Sequence, residues 1–413
     1  MAVLPTSYDA LLEVFVFLAV AELLHSFSRK IGLPNLVSDL LLGVVLSGFA
    51  LGGVINGLVH VPIFVVDDYV LLFADFSVIL LLFAAGLGGG FAGLRSAGFG
   101  AVGAALLGDL LPFFAVFLVF SRFDPIDVAL LLGVAASGTS SAVVASLVQT
   151  EGVGGTPAGH FLMNVSAIDD VIALLFLSVV LTITGGTPDV LAVTGGLLEL
   201  VAAWVVLLLA SVVIIPRLLR LPGVRQTRGM PFLFLFVVVA IVVALGFSAI
   251  IGAYIAGIAV AESLVASRTR EITEILLILF GSLFFVVTGA QFNFHLFLDP
   301  TVVGLALLLV GLALVGKLVG VYGFARRRLG PVVGRTVAIG TVPLGEIGLI
   351  VGSIGFSGGV FSQSELGEIL LMSIMSTLIG AFLFRRGARQ ARATGSTGSS
   401  DPPSVNGHRV PPA

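Results

Sequence analysis

The chain has 413 residues, of which 58% are hydrophobic and only 10% charged, with a formal net charge of -3. Soluble domains carry roughly 25% charged residues, so this sequence cannot cover a water-facing surface and reads as a membrane protein. It holds no cysteine and five scattered histidines without ligand spacing, which excludes disulfides, thiolate chemistry and cysteine-based metal centres.

The apolar runs beginning at Leu11, Asp127, Phe161, Val190, Thr301 and Gly367 each extend for about 18 to 25 residues, enough to span a bilayer. Taken in chain order, about 13 membrane helices are expected, starting near residues 10, 35, 69, 98, 127, 159, 190, 231, 248, 273, 301, 335 and 367. The first follows no basic segment and carries Glu13, Glu22 and His25, so it reads as a retained helix and not as a secretory signal. Apart from Arg122 and Lys317, every basic residue falls in alternate loops or in the C-terminal tail. The positive-inside rule then places the N-terminus outside and the C-terminus in the cytoplasm, in the cell membrane. From Gly387 the composition turns to Gly, Ser, Thr and Pro, which has nothing to bury. The expected organisation is a membrane transporter domain over residues 1–386 and a disordered cytoplasmic tail over 387–413; an enzyme or a nucleic-acid-binding protein is not expected.

Ionisable groups at the centre of a membrane helix cost about 2.5 to 3.5 kcal/mol each, so each calls for a partner or a task. Asp169 and Asp170 stand side by side near the middle of the helix that starts near residue 159, not at a solvated helix end. Adjacent helical residues point roughly 100° apart, so one acid can face a protein cation while the other faces a cavity. Ser166, four residues before Asp170, shares its face. Lys317 is the cation farthest from any loop, and Asp169 or Asp170 is its expected counter-charge. Snorkelling to the cluster at Arg326 would need about 13 Å, more than a lysine reaches.

Two segments break their own helices: Ser137-Gly138-Thr139-Ser140-Ser141, and Gly340-Thr341-Val342-Pro343-Leu344-Gly345-Glu346. Pro343 removes an N–H and clashes with the preceding turn. Unwound backbone at membrane depth is tolerated only where protein or a cavity satisfies it, and such breaks supply carbonyls and helix ends for ions. Small residues there also permit close helix packing. The echo of Gly138-Thr139 in Gly340-Thr341, on the fifth and twelfth expected helices, suggests an inverted repeat with a site where the broken helices meet. Asp39, Asp75, Asp109, Glu199 and Glu262 sit nearer the expected helix ends or lack evident partners, and most are read as interfacial or funnel-lining acids. An intramembrane aspartyl protease would need its two acids on separate, facing helices.

Together with Ile31 to Pro34, Asp39 to Gly43, Val78 to Leu87 and Leu283 to Gly289, these residues make the chain resemble the monovalent cation:proton antiporters, the branch holding NapA-type Na+/H+ exchangers and the membrane domains of Kef-type K+ systems. The resemblance runs from about Leu23 to Phe384. It implies an all-α fold with inverted repeats and two broken, crossing helices, as in NhaA and NapA. The core would lie around the helices at 98–184 and 301–386, and the remaining helices would form the scaffold and a homodimer interface. It also implies that Asp170 exchanges proton for cation, that Asp169 pairs with Lys317, that Thr139, Ser140 and Ser166 offer oxygen ligands, and that Glu346 tunes the cytoplasmic approach. The expected activity is exchange of Na+, with K+ or Li+ as other candidates, for H+ by alternating access and without a cofactor; the alternative is a Kef-like gated K+ efflux channel. Three positions depart from the family pattern: Leu344 where Arg is usual before Gly345-Glu346, Gly88 where an acid is usual, and Asp39 where Glu is usual.

Overall fold

The computed structural model describes residues 6–31, 33–59, 63–96, 98–184, 190–245 and 248–395. Among these the chain is helical, with no strand. In order the helices are α1 (Thr6–Ile31), α2 (Asn35–Leu46), α3 (Leu51–Val59), α4 (Asp68–Ser96), α5 (Gly98–Phe120), α6 (Ile126–Ala135), α7 (Ser141–Thr150), α8 (Pro157–Thr184) and α9 (Val190–Leu218). They continue with α10 (Pro222–Gln226), α11 (Met230–Ala244), α12 (Ala249–Ala261), α13 (Ala266–Ala290), a 3-10 turn (Phe294–Leu298), α14 (Pro300–Leu329), α15 (Pro331–Gly340), α16 (Glu346–Ser357) and α17 (Gln363–Gly395).

Local signals set these limits. The side chain of Asp299 accepts from the Thr301 N–H and Pro300 occupies the first turn, so α14 starts where the donors would otherwise be orphaned. It ends on Arg326, Arg327 and Arg328, which favour the negative helix end, followed by Gly330 at φ 80°, a backbone conformation that side-chain-bearing residues avoid.

Among the described residues, seven helices are long and apolar enough to cross a membrane, and α2 with α3, bent by 43°, adds an eighth if the pair is one span. The expected figure of about 13 is not reached among the described residues, where the halves of broken spans and several packed helices fall short of a span singly. Large apolar side chains face outward, among them Phe99 (87% exposed), Leu298 (79%) and Leu23 (76%), as a lipid-facing surface requires. Helix α17 continues past Gly387 to Gly395, beyond the point where the composition turns polar; the rest of the expected tail, 396–413, lies outside the described residues.

One set of helices packs as a scaffold: α4 against α12 and α13, α2 against α13, α11 and α9 against α12. A second set surrounds the two helix breaks: α5 against α14, α8 and α6, and α17 against α14, α15 and α16. Without a hydrophobic force between helices in lipid, close backbone contact supplies the attraction. At the α4–α12 contact a Cβ on Gly257 would lie 2.2 Å from the Phe83 carbonyl oxygen, and one on Gly86 would lie 2.2 Å from that of Tyr254. Gly257→Val is therefore expected to force the pair apart, at a cost of about 1 to 3 kcal/mol. Thermal unfolding of the detergent-solubilised protein should show a melting point several degrees lower, and an unchanged one would refute the contact.

Candidate ion-binding site

The two breaks meet. Between α6 and α7 the chain unwinds over Ala136 to Ser140, and between α15 and α16 over Thr341 to Gly345. Each satisfies the other's backbone: the Ser140 N–H donates to the Pro343 carbonyl at 2.7 Å, and the Thr139 hydroxyl donates to the Thr341 carbonyl at 3.1 Å. Ser376 on α17 closes the remaining gap by accepting from the Leu344 N–H at 3.1 Å. Unwound backbone thus survives at depth because protein groups replace the helical partners.

Helix α8 crosses beside this junction and delivers the paired acids. Asp169, fully buried, accepts from the Thr139 N–H and hydroxyl and from Lys317 Nζ. Asp170 points elsewhere, as the helical turn demands: its Oδ2 accepts from the Ser141 hydroxyl at 2.6 Å, and the Ser141 and Ser166 hydroxyls are 2.9 Å apart. Asp170 retains 6% exposure whereas Asp169 has none, so Asp170 is the member of the pair with an opening. The Tyr254 hydroxyl donates to the Ala167 carbonyl at 3.1 Å, tying the scaffold helix α12 to α8 two residues before the pair.

Glu346 opens α16, and its Oε1 accepts from the Ala142 N–H at 3.1 Å in the first turn of α7. A carboxylate on two helix N-termini is held by their partial positive charge. That gives Glu346 a partner, although Leu344 and not an Arg precedes Gly345.

Three placements differ from the sequence reading. Ser140 caps α7, its Oγ accepting from the Val143 N–H at 3.3 Å, and Ser141 is the hydroxyl beside Asp170. Thr139 sits on Asp169, not on Asp170. Lys317 has two acids: Asp109 on α5 takes its Nζ at 2.7 Å in addition to Asp169. Asp109 is therefore neither interfacial nor a funnel residue. Its place midway along a 23-residue apolar helix was the available signal. Of the other acids, Asp39 is buried with its Oδ1 2.6 Å from His25 Nε2, Asp75 is exposed on α4, and Glu262 caps α12 beside the kink at Gly90. The side chain of Glu199 lies outside the described residues.

A polytopic helical protein in which two mutually satisfied helix breaks meet buried carboxylates and a lysine has the architecture of a secondary ion transporter. The sequence profile described as "Sodium/hydrogen exchanger, transmembrane" matches residues 14–386, and the chain belongs to that family. It is 28% identical to a Na(+)/H(+) antiporter of Enterococcus hirae over 87% of this chain and 92% of that one. It is 25% identical to the Na(+)/H(+)-K(+) antiporter GerN of Bacillus cereus over 90% and 94%. It is also 27% identical to the ammonium/H(+) antiporter subunit AmhT of Alkalihalophilus pseudofirmus over 86% and 87%. Its fold matches the sodium proton antiporter MjNhaP1 of Methanocaldococcus jannaschii with a TM-score of 0.70 at 15% identity, covering 93% of this chain and 98% of that one. The sequence relatives carry the names of antiporters, so cation/proton antiport is favoured over the Kef-like alternative.

Proposed function

We propose that this antiporter exchanges Na+ for H+ by alternating access, with Asp170 as the group for which both ions compete. The observation that carries the reading is the setting of Asp170: a nearly buried carboxylate at the meeting of two helix breaks, lined by the hydroxyls of Ser141 and Ser166. Carboxylate and hydroxyl oxygens suit a hard monovalent cation, and they replace part of its hydration shell. Sodium is named for three of the four proteins described above and K+ for one, so Na+ is preferred over K+ and Li+.

The chemistry couples the two ions. A bare buried carboxylate is costly, and either a cation or a proton removes that cost, so the occupied forms cross while the empty charged form does not. Asp169 lies next to Asp170 and joins the ligand set when it leaves Lys317, and Glu346 anchors the two helix N-termini on one side of the site. The protein sits in the cell membrane with its C-terminus in the cytoplasm, where most arginines lie, and assembles as a homodimer through scaffold helices.

Purified protein in liposomes with an imposed pH gradient is the test. Na+ is expected to dissipate the gradient, and the KM for Na+ is expected to rise as pH falls, because protons then occupy the carboxylate. A KM independent of pH would overturn competition at one site, and single-channel currents would overturn exchange altogether.

A further inference from the structure

Lys317 is fully buried, and its ammonium faces two carboxylates from different helices: Oδ1 of Asp109 on α5 and Oδ1 of Asp169 on α8. The approach of α5 is built into the sequence of α14. Gly316 and Gly320 flank the lysine, and a Cβ on them would lie 2.6 Å from the Pro112 nitrogen and 2.3 Å from the Leu107 carbonyl oxygen of α5. Two side chains are absent where their presence would hold Asp109 away.

One ammonium balances one carboxylate. A second acid in a dry site adds desolvation cost without being needed for the pair. Asp109 is fully buried, and its Oδ2 has no hydrogen-bond partner, so the extra acid is not held there by a further network. Asp169 is placed differently. It contacts Lys317 and both donors of Thr139 at the break, and it is the chain neighbour of Asp170. It is the acid that can turn from lysine to cation, and with no second acid that turn would strand a bare buried ammonium.

We propose that Asp109 is the standing counter-ion of Lys317, which keeps the lysine charged while Asp169 turns to the transported cation. The inference rests on the Asp170 site proposed above. Asp109 is thus a positioning residue: it never touches the cation and acts by lowering the cost of freeing Asp169.

In Asp109→Asn, Na+ must compete with Lys317 for Asp169. The KM for Na+ in liposomes is expected to rise about tenfold with kcat changed far less, the size of one charged hydrogen bond. The concentration of Na+ needed to raise the melting point of the purified protein should rise in parallel. Adding Lys317→Gln removes the competitor, so the double variant is expected to return towards the wild-type KM, which a mere packing defect would not do. The comparison of Lys317→Gln with Lys317→Gln/Asp109→Asn reads the same coupling if the single Asp109 variant does not fold; equal Na+ affinities are expected, and unequal ones would overturn the proposal. A wild-type KM in Asp109→Asn, or no recovery on adding Lys317→Gln, would also overturn it. Asp170→Asn measured alongside separates the levels: if it still binds Na+ as the wild type does, the site itself is misassigned, and if it does not, only the counter-ion role is at stake.

Discussion

Asp170→Asn is expected to reduce Na+-driven proton exchange in liposomes to background, a fall of at least about a hundredfold, since a missing charge at an ion site removes roughly 3 kcal/mol or more. The substitution is nearly isosteric and the amide oxygen can still accept from the Ser141 hydroxyl, so the junction of α7 and α8 should survive. What is lost is the ability to alternate between an ionised, cation-binding form and a protonated one. Since Asp170 forms no ion pair among the described residues, Lys317 being bonded to Asp109 and Asp169, removing its charge relieves a desolvation penalty. The variant's melting point is accordingly expected to equal or exceed that of the wild type, while added Na+ no longer raises it. Transport lost with stability kept would separate an ion site from a structural acid. Persistent exchange in this variant would sink the assignment.

The helices were legible in the sequence wherever punctuation and apolar length agreed. The helix expected near residue 301 begins at Pro300 because Asp299 caps it, and the breaks at Ser137 to Ser141 and Gly340 to Glu346 stand where the Gly, Thr and Pro signals put them. That the two aspartates face different partners was legible too, since a helix separates adjacent side chains by a fixed angle. Which hydroxyl serves which acid was not. Ser140 and Ser141 are equivalent donors on paper, but the residue before a helix spends its oxygen on the helix's own N–H groups, and that leaves Ser141 for Asp170. The pairing of Asp109 was hidden for a different reason. Depth in the membrane can be counted along a helix, whereas the contact of α5 with α14 depends on Gly316 and Gly320 opening a groove at the level of Lys317. Read as a pair flanking a buried lysine, those glycines mark the face on which a partner helix arrives.

Lys317→Ala is expected to cause the largest loss of stability among single substitutions at the site. Removing the ammonium leaves Asp109 and Asp169 facing an empty space with no compensating cation, and breaking a buried ion pair in this way costs about 3 to 5 kcal/mol. Thermal unfolding of the solubilised protein should report a melting point clearly below that of the wild type. The missing charge can be replaced only by a proton from solution, so the deficit is expected to be smaller at acid pH, where that proton is readily supplied, and to widen as pH rises. Adding Asp109→Asn removes one of the two orphaned acids and should restore part of the melting point and flatten its pH dependence. Such partial rescue has no explanation if Lys317 contributes only the packing of its aliphatic stem, because deleting a further charge would not refill the space. A wild-type melting point in Lys317→Ala at alkaline pH would exclude the three-membered charge cluster on which both the Asp169 and Asp109 roles depend.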